Sequence, residues 1–180
     1  FGQKERDWNS KELLQEWRGN WADHVNTRMA ELGLEARVDH RTLEAQGIPL
    51  EPQHKIGAAG SRREMNGEDA ERADDHMRIA RENGDKIIAD PAIALNAITH
   101  SQATFTMRDL AQFAFRHSDG KDQFDSVMAS MRGSPELVAL GKDGKDQERF
   151  TSADMIAVEE RLGLSASMLA TSERHGVADR

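Results

Sequence analysis

The residues best suited to chemistry are two histidines in the stretch RVDHRTLEAQGIPLEPQHKIG, residues 37–57. His40 follows Asp39, and His54 comes after a turn-forming Gly-Ile-Pro sequence. Imidazole nitrogens bind metal ions, but a catalytic site needs about three protein ligands that converge on one ion. His40 and His54 are therefore only weak metal candidates. The favoured interpretation is that Asp39 pairs with His40 or Arg41, and that His54 caps a loop.

The other common catalytic patterns are missing from the chain. LGKDGKD, residues 140–146, contains Gly-Lys without the following hydroxyl residue of a nucleotide-binding loop. There is no His-Glu-x-x-His helix and no Gly-x-Ser-x-Gly turn. The sequence contains no Tyr and no Cys, which excludes a tyrosine nucleophile, a thiolate metal site and a disulfide within this chain. No catalytic residue is predicted.

The charge pattern limits the classes of partner that the chain could bind. The 180 residues carry 24 Lys and Arg against 32 Asp and Glu, a net charge of −8, with no basic block. This composition argues against an extensive phosphate-binding surface, which clusters Lys and Arg. No run approaches the ~20 apolar residues of a membrane span, and no signal pattern is present, so a cytoplasmic protein is expected. Because the chain begins at Phe1, we also expect it to be a processed product or an excised piece of a longer protein.

The elements that would position these residues are mostly helical. Asn9 to Glu12 fits a capping box for a first helix, along which Leu14, Trp17 and Trp21 recur at helical spacing. Such a stripe is more often core than a partner-binding face, so core is favoured. Residues 35–42 alternate as a short strand.

The second half predicts a small unit of helices with a hairpin. Residues 61–90 are highly charged and predict a helical linker. Helices then follow at 92–100, after an N-cap at Thr106, and at 121–132. A hairpin at 137–150 contains GKDGKD as its turn, and Thr151 caps a last helix over 152–162. This order predicts a winged-helix-like unit whose wing holds Lys142 and Lys145. The fold class is mostly α with short β-strands (α+β).

Two groups of motifs resemble proteins of conjugation. The first half resembles the closing part of MobA/MobL relaxase domains, and the second half, from ITHSQATFTMRDLAQFAFRHSDG to FTSADMIAVEERL, is similar to Ti-type relaxase-helicases of the TraA kind. The MobA/MobL resemblance is carried by Trp21, Ala22, Asn26, Arg37–Arg41, Gln46–Ile48, Pro52, His54 and Gly57.

The resemblance implies a parent protein that nicks plasmid DNA at a transfer origin with a tyrosine and a histidine-bound divalent metal ion, then unwinds it with ATP and Mg²⁺. Those groups lie outside the motifs found here, so this segment is expected to be non-catalytic, with no cofactor of its own. The implied organisation is the end of the relaxase domain at 1–60, the charged linker at 61–90, the winged-helix-like unit at 91–165 and a tail toward the helicase at 166–180.

The implied partners are single-stranded or origin DNA and other conjugation proteins. The predicted DNA contacts are Arg37, His40 and Arg41, with Lys142 and Lys145 second. The alternative is a stand-alone helical module that binds a partner protein through Trp17 and Trp21.

Overall fold

The fold is a set of helices with one short hairpin. The computed structural model describes residues 10–53 and 70–171. In that part of the chain it contains six helices and two strands. These are α1 (Lys11–Glu31), α2 (Ala70–Ala89), α3 (Ala92–Ser101), α4 (Met107–Arg116), α5 (Gly120–Gly133), β1 (Leu137–Lys142), β2 (Glu148–Ser152) and α6 (Ala153–Ala170). The prediction of a mostly α fold with short β-strands is confirmed.

The core is formed by helices α2 to α5 and the hairpin. The Thr106 side chain caps α4 as the sequence predicts, and Asp109 completes a capping box. Each helix presents apolar residues at a spacing of three or four to this core. Its buried members include Ile87, Leu95, Phe105, Leu110, Val127, Met131 and Phe150, together with Leu50 from the segment after α1. Burying a side chain of this size contributes ~1.5–3 kcal/mol.

The hairpin is confirmed at the predicted place. β1 and β2 pair antiparallel, with Ala139 opposite Phe150 and an irregularity before Gly141. Phe105, before α4, pairs with Phe150 through two backbone hydrogen bonds of 2.8 Å each, which adds a third extended segment beside β2.

The N-cap of the last helix lies one residue after the predicted cap, Thr151. The Ser152 side chain accepts from the Met155 N–H and caps α6. Thr151 instead lies in β2 and donates its hydroxyl to the Ala103 carbonyl. The predicted cap was wrong because the strand extends through both residues.

Helix α1 contacts the rest of the fold through a narrow face. Ser10 caps it by accepting from the Leu13 N–H, and Ala22 is its buried residue. Trp17 is 45% exposed and Trp21 62% exposed, so the prediction that this stripe is core was wrong. Ala22 and Asn26 face the body, and Trp21 lies roughly 100° around the helix from Ala22.

Residues 35–42 do not form a strand. The alternation is present, but no described strand runs beside this segment. The Arg37 N–H donates to the Ser101 carbonyl at 2.6 Å, and Val38 pairs with the Asn26 side chain. The backbone of this segment is thus hydrogen-bonded to the Asn26 side chain and to the end of α3, and not to a neighbouring strand as the prediction required.

The described part of the charged region, α2, packs against α5. Gly84 makes the approach close, since a Cβ there would lie 2.6 Å from Gln123 Cδ. The Gln123 amide donates to the Arg81 carbonyl and the Asp85 carboxylate, each at 2.8 Å. Ile87 of α2 is buried in the same core as Phe150. The four-segment division of the chain stays a prediction.

Asn83 of α2 ties the segment after α1 to the helices. Its side chain is fully buried. Its Oδ1 accepts from the Glu51 N–H at 2.9 Å, and its Nδ2 donates to the Glu51 carbonyl at 2.8 Å. The same Nδ2 lies 3.3 Å from Nδ1 of His117. One amide therefore joins the 50–51 backbone, α2 and the end of α4.

Asn83→Ala is expected to lower the free energy of unfolding by about 1 to 3 kcal/mol, because it leaves the Glu51 backbone groups without their partners. Urea unfolding followed by circular dichroism measures the change. Asn96→Ala, an exposed asparagine on α3, is the matched control and should change stability by less than about 0.5 kcal/mol. Equal effects of the two substitutions would contradict the assignment.

Candidate nucleic-acid interface

The segment between α1 and α2 closes one wall of a cavity of about 490 Å³. Helices α1, α3 and α4 form the other walls. The volume lies in the range of sites for small organic groups. Its polar lining consists of Asp23, Asn26, Arg37, Asp39, His40, Gln46, His100, Ser101 and His117.

Asn26 fixes the start of this segment. Its Nδ2 donates to the Val38 carbonyl at 2.9 Å, and its Oδ1 accepts from the Val38 N–H at 2.8 Å. On the other side, the Ser101 carbonyl at the end of α3 accepts from the Arg37 N–H. The backbone at 37–38 is thus held between two helices, which orients the side chains that follow.

The Arg37 guanidinium keeps its charge available. Its Nη1 donates to the carbonyls of Leu34 and Ala36, at 2.8 Å and 2.9 Å. Among the described residues no carboxylate forms an ion pair with it. Carbonyl oxygens orient a guanidinium without neutralising it, so its positive charge can bind an anion.

Arg41, by contrast, is already paired. Its Nη2 lies 2.6 Å from Asp39 Oδ2, and its Nε donates to both carboxylate oxygens at 3.0 Å. The hydrogen bonds from Arg41 hold the pKa of Asp39 well below its usual range, and His100, 3.1 Å away, acts in the same direction. The predicted pairing of Asp39 with Arg41 is present, while the histidine on Asp39 is His100 rather than His40.

His40 lines the cavity and lies against α1. A Cβ on Gly19 would be 3.6 Å from its Cε1, which is ordinary contact. Within residues 10–53 and 70–171, no three His, Asp or Glu residues are arranged to hold a metal ion. The second metal candidate, His54, lies outside the described residues.

His117, which also lines the cavity, is held neutral. Burial, and then the positive charge of Arg116, lower its pKa to about 4. Its ring centroid lies 4.5 Å from that of Phe113. Because Asn83 Nδ2 is a donor, His117 Nδ1 accepts, which requires the neutral ring.

The two wing lysines are placed among aspartates. Lys142 forms an ion pair of 2.8 Å with Asp146. Beside it, Asp143 accepts from the backbone N–H groups of Gln147 and Lys145, which lower its pKa. Neither lysine lines the cavity. The structure therefore brings Arg37 and His40 together at one cavity and leaves Lys142 and Lys145 in a different part of the fold.

Comparison with known proteins links this arrangement to conjugation. Residues 2–66 match the model of the MobA/MobL family, a region that includes α1 and the 37–53 segment. A "Conjugal transfer protein TraA" of Agrobacterium fabrum is 28% identical over 98% of the chain. A "Probable conjugal transfer protein TraA" of Sinorhizobium fredii is 29% identical over 89%. "Mobilization protein A" of Escherichia coli is 40% identical over 45%.

The chain is similar to the TraA conjugal transfer proteins. It spans 18% of the length of the Agrobacterium TraA and 11% of the E. coli mobilization protein. No solved structure matches it. No helix in the described part of the chain is long and apolar enough to cross a membrane.

Sequence reasoning did not reveal the roles of three residues that line the cavity. Asn26 was noted as part of a motif, yet its bond to Val38 joins residues 12 apart. His100 and His117 come from α3 and α4, and nothing in the spacing indicated that they would face Asp39 or Asn83. Only the tertiary packing brings them together.

Asn26→Ala is expected to free the backbone at Val38. Its amide should exchange hydrogen about five- to tenfold faster, the effect of losing about one net hydrogen bond. Hydrogen exchange followed by NMR measures this. Asn20→Ala, on an exposed position of the same helix, provides the control, and unchanged exchange at Val38 in Asn26→Ala would contradict the anchoring role.

Acid should weaken the fold through His117. The unfolded ring takes up a proton near pH 6.5, whereas the folded ring does so only near a pKa of about 4. The unfolded state therefore binds more protons in this window, and stability should fall by on the order of 2 kcal/mol as the pH decreases from about 6.5 to 4.

His117→Gln is expected to flatten that pH dependence in urea unfolding experiments. His24→Gln, at an exposed position on α1, should retain it. A steep loss of stability that persists unchanged in His117→Gln would show that other groups are responsible.

Proposed function

We propose that this chain is a non-catalytic part of a conjugative DNA relaxase-helicase, and that it guides a single DNA strand during plasmid transfer. The MobA/MobL match over residues 2–66 and the similarity to TraA over most of the chain support this proposal. The nicking tyrosine cannot come from this chain, because it contains no Tyr. The parent protein's divalent metal ion, and its ATP with Mg²⁺, would be bound elsewhere, and the setting would be the cytoplasm.

The observation that carries the proposal is the state of Arg37. Two helices hold its backbone, two carbonyls orient its guanidinium, and no described carboxylate neutralises it. A guanidinium held in this way suits a DNA phosphate. His40 borders the same cavity. Arg41 would contribute less, since binding a phosphate would compete with Asp39.

The second half supports a winged-helix-like unit. Helix α3, the extended residue Phe105, helices α4 and α5, and the hairpin follow one another in the order of that motif, and Phe105 pairs with β2. In the parent protein this unit would stand at the entrance to the helicase. Lys142 and Lys145 would supply weaker DNA contacts, because Lys142 is paired with Asp146 and Lys145 follows Asp143 in the same turn.

Arg37→Ala tests this proposal in the full 180-residue chain. Fluorescence anisotropy with a labelled single-stranded oligonucleotide should show affinity reduced about two- to fivefold at low salt, the size of one exposed charge contact. The slope of log affinity against log salt should decrease by about 0.7. Arg161→Ala, an exposed arginine on α6, is the charge-matched control. No binding by the wild-type chain at low salt would overturn the proposal.

A protein-binding role for α1 is the second candidate. The exposure of Trp21, 62%, and of Trp17, 45%, favours it. Titration with a conjugation protein should then shift the Trp fluorescence, and Trp21→Ala should remove the shift without changing DNA affinity.

A further inference from the structure

The outer face of α4 carries an exposed aromatic ring between arginines. Arg108, Gln112, Phe115 and Arg116 recur at helical spacing and are all exposed. Phe115 is 77% exposed, although its neighbours Leu110 and Ala114 on the opposite face are fully buried. Its exposure is thus a property of the side of α4 on which it lies, and that side faces away from the core.

The arginines around Phe115 are weakly neutralised. Within the part of the chain that the structure describes, Arg108 and Arg116 form no ion pair. Arg132 of α5 directs its Nε to the Met107 sulfur at 3.5 Å rather than to a carboxylate. Arg149 of β2 lies 3.9 Å from Asp143, the longest ion pair on the described residues. Three of these guanidinium groups thus have no ion-pair partner on the described residues and the fourth has only this long one, in a chain whose net charge is −8.

Two shallow grooves join these groups. One, of about 670 Å³, runs from the start of α4 to Gln147 and Arg149 on the hairpin. The other, of about 350 Å³, passes Phe115 and ends at Arg116. Both grooves include Arg108 and Gln112, so they adjoin along α4, and together they are called the path below.

Two carboxylates also line this path, but they are outnumbered by its arginines, so the path is positively charged overall. Asp109 accepts from the Thr106 N–H and hydroxyl, each at 2.8 Å, and is committed to the helix cap. Glu148 is exposed on β2. Against these two negative charges stand Arg108, Arg116 and Arg149 on the path and Arg132 beside it. The charge fits a polyanion.

We propose that this α4 surface, formed by Arg108, Gln112, Phe115, Arg116 and Arg149, binds single-stranded DNA. The arginines would contact successive phosphates, and one unpaired base would stack on Phe115. An aromatic ring beside cationic side chains is the combination that binds single strands without reading their sequence. A duplex offers no free base face to Phe115. The inference rests on the proposed function and adds a second contact region, separate from Arg37.

The first test compares substitutions of Phe115 in the full chain by anisotropy with a labelled oligonucleotide. Phe115→Ala should weaken binding at least about fivefold, the lower end of one base-aromatic stack. Phe115→Trp should retain the affinity, whereas Phe115→Leu, which is apolar but cannot stack, should behave as Phe115→Ala. With an abasic oligonucleotide of equal length, all four proteins should bind alike. Leu164→Ala, an exposed apolar residue on α6, is the matched control.

The second test measures the charges. Arg108→Ala combined with Arg116→Ala should reduce the salt slope by about 1.4, which corresponds to two phosphate contacts on a single strand. Arg161→Ala should leave the slope unchanged. All substituted side chains are exposed, and thermal unfolding verifies that each variant is folded.

The outcomes separate this inference from the proposed function. If the wild-type chain binds single strands, and only Arg37→Ala weakens binding, the α4 surface is excluded while the proposed function stands. If Phe115→Leu keeps full affinity, or the abasic strand responds equally to Phe115→Ala, stacking is excluded. If Phe115→Ala alters only the binding of a protein partner, the surface serves that partner and the inference is overturned. Absence of any DNA binding overturns both.

Discussion

The buried amide of Asn83 is the interaction on which the arrangement of the two halves depends. It exchanges two hydrogen bonds with the backbone of Glu51 and faces His117. Next to it, Leu50 enters the core formed by the helices. Polar groups buried in a core must be paired, so the position of residues 50–51 is specified by hydrogen-bond geometry as well as by apolar contact. The same connection positions Leu50, which also lines the cavity beside Arg37.

The sequence predicted features that depend on neighbouring residues, but not contacts between residues far apart in the chain. The cap at Thr106 and the hairpin around residues 143–146 are determined by neighbouring residues, and both were predicted correctly. The Trp stripe of α1 was misassigned because helical spacing shows that a face is apolar, and does not show what covers it. His100 reaches Asp39 across 61 residues of sequence, a contact that no local pattern contains.

The places where this chain could attract an anion depend on local charge more than on the total charge of the chain. Several carboxylates form local ion pairs, such as Asp39 with Arg41 and the set of Glu51, Asp75 and Glu82 around Arg78. Arg37, Arg108 and Arg116 have no such partner among the described residues. On the proposed function, an acidic protein of this kind would attract a nucleic acid at these restricted places, while its overall repulsion would keep the attraction weak and sensitive to salt.

Gly84 has a consequence for how closely α2 and α5 can pack. Because it lacks a Cβ, α2 lies close against α5, and Gln123 is fastened to α2 by hydrogen bonds. A side chain larger than hydrogen at position 84 would displace the Gln123 side chain, and with it the hydrogen bonds that fasten α5 to α2. The contact between these two helices thus depends on the absence of a single methyl group.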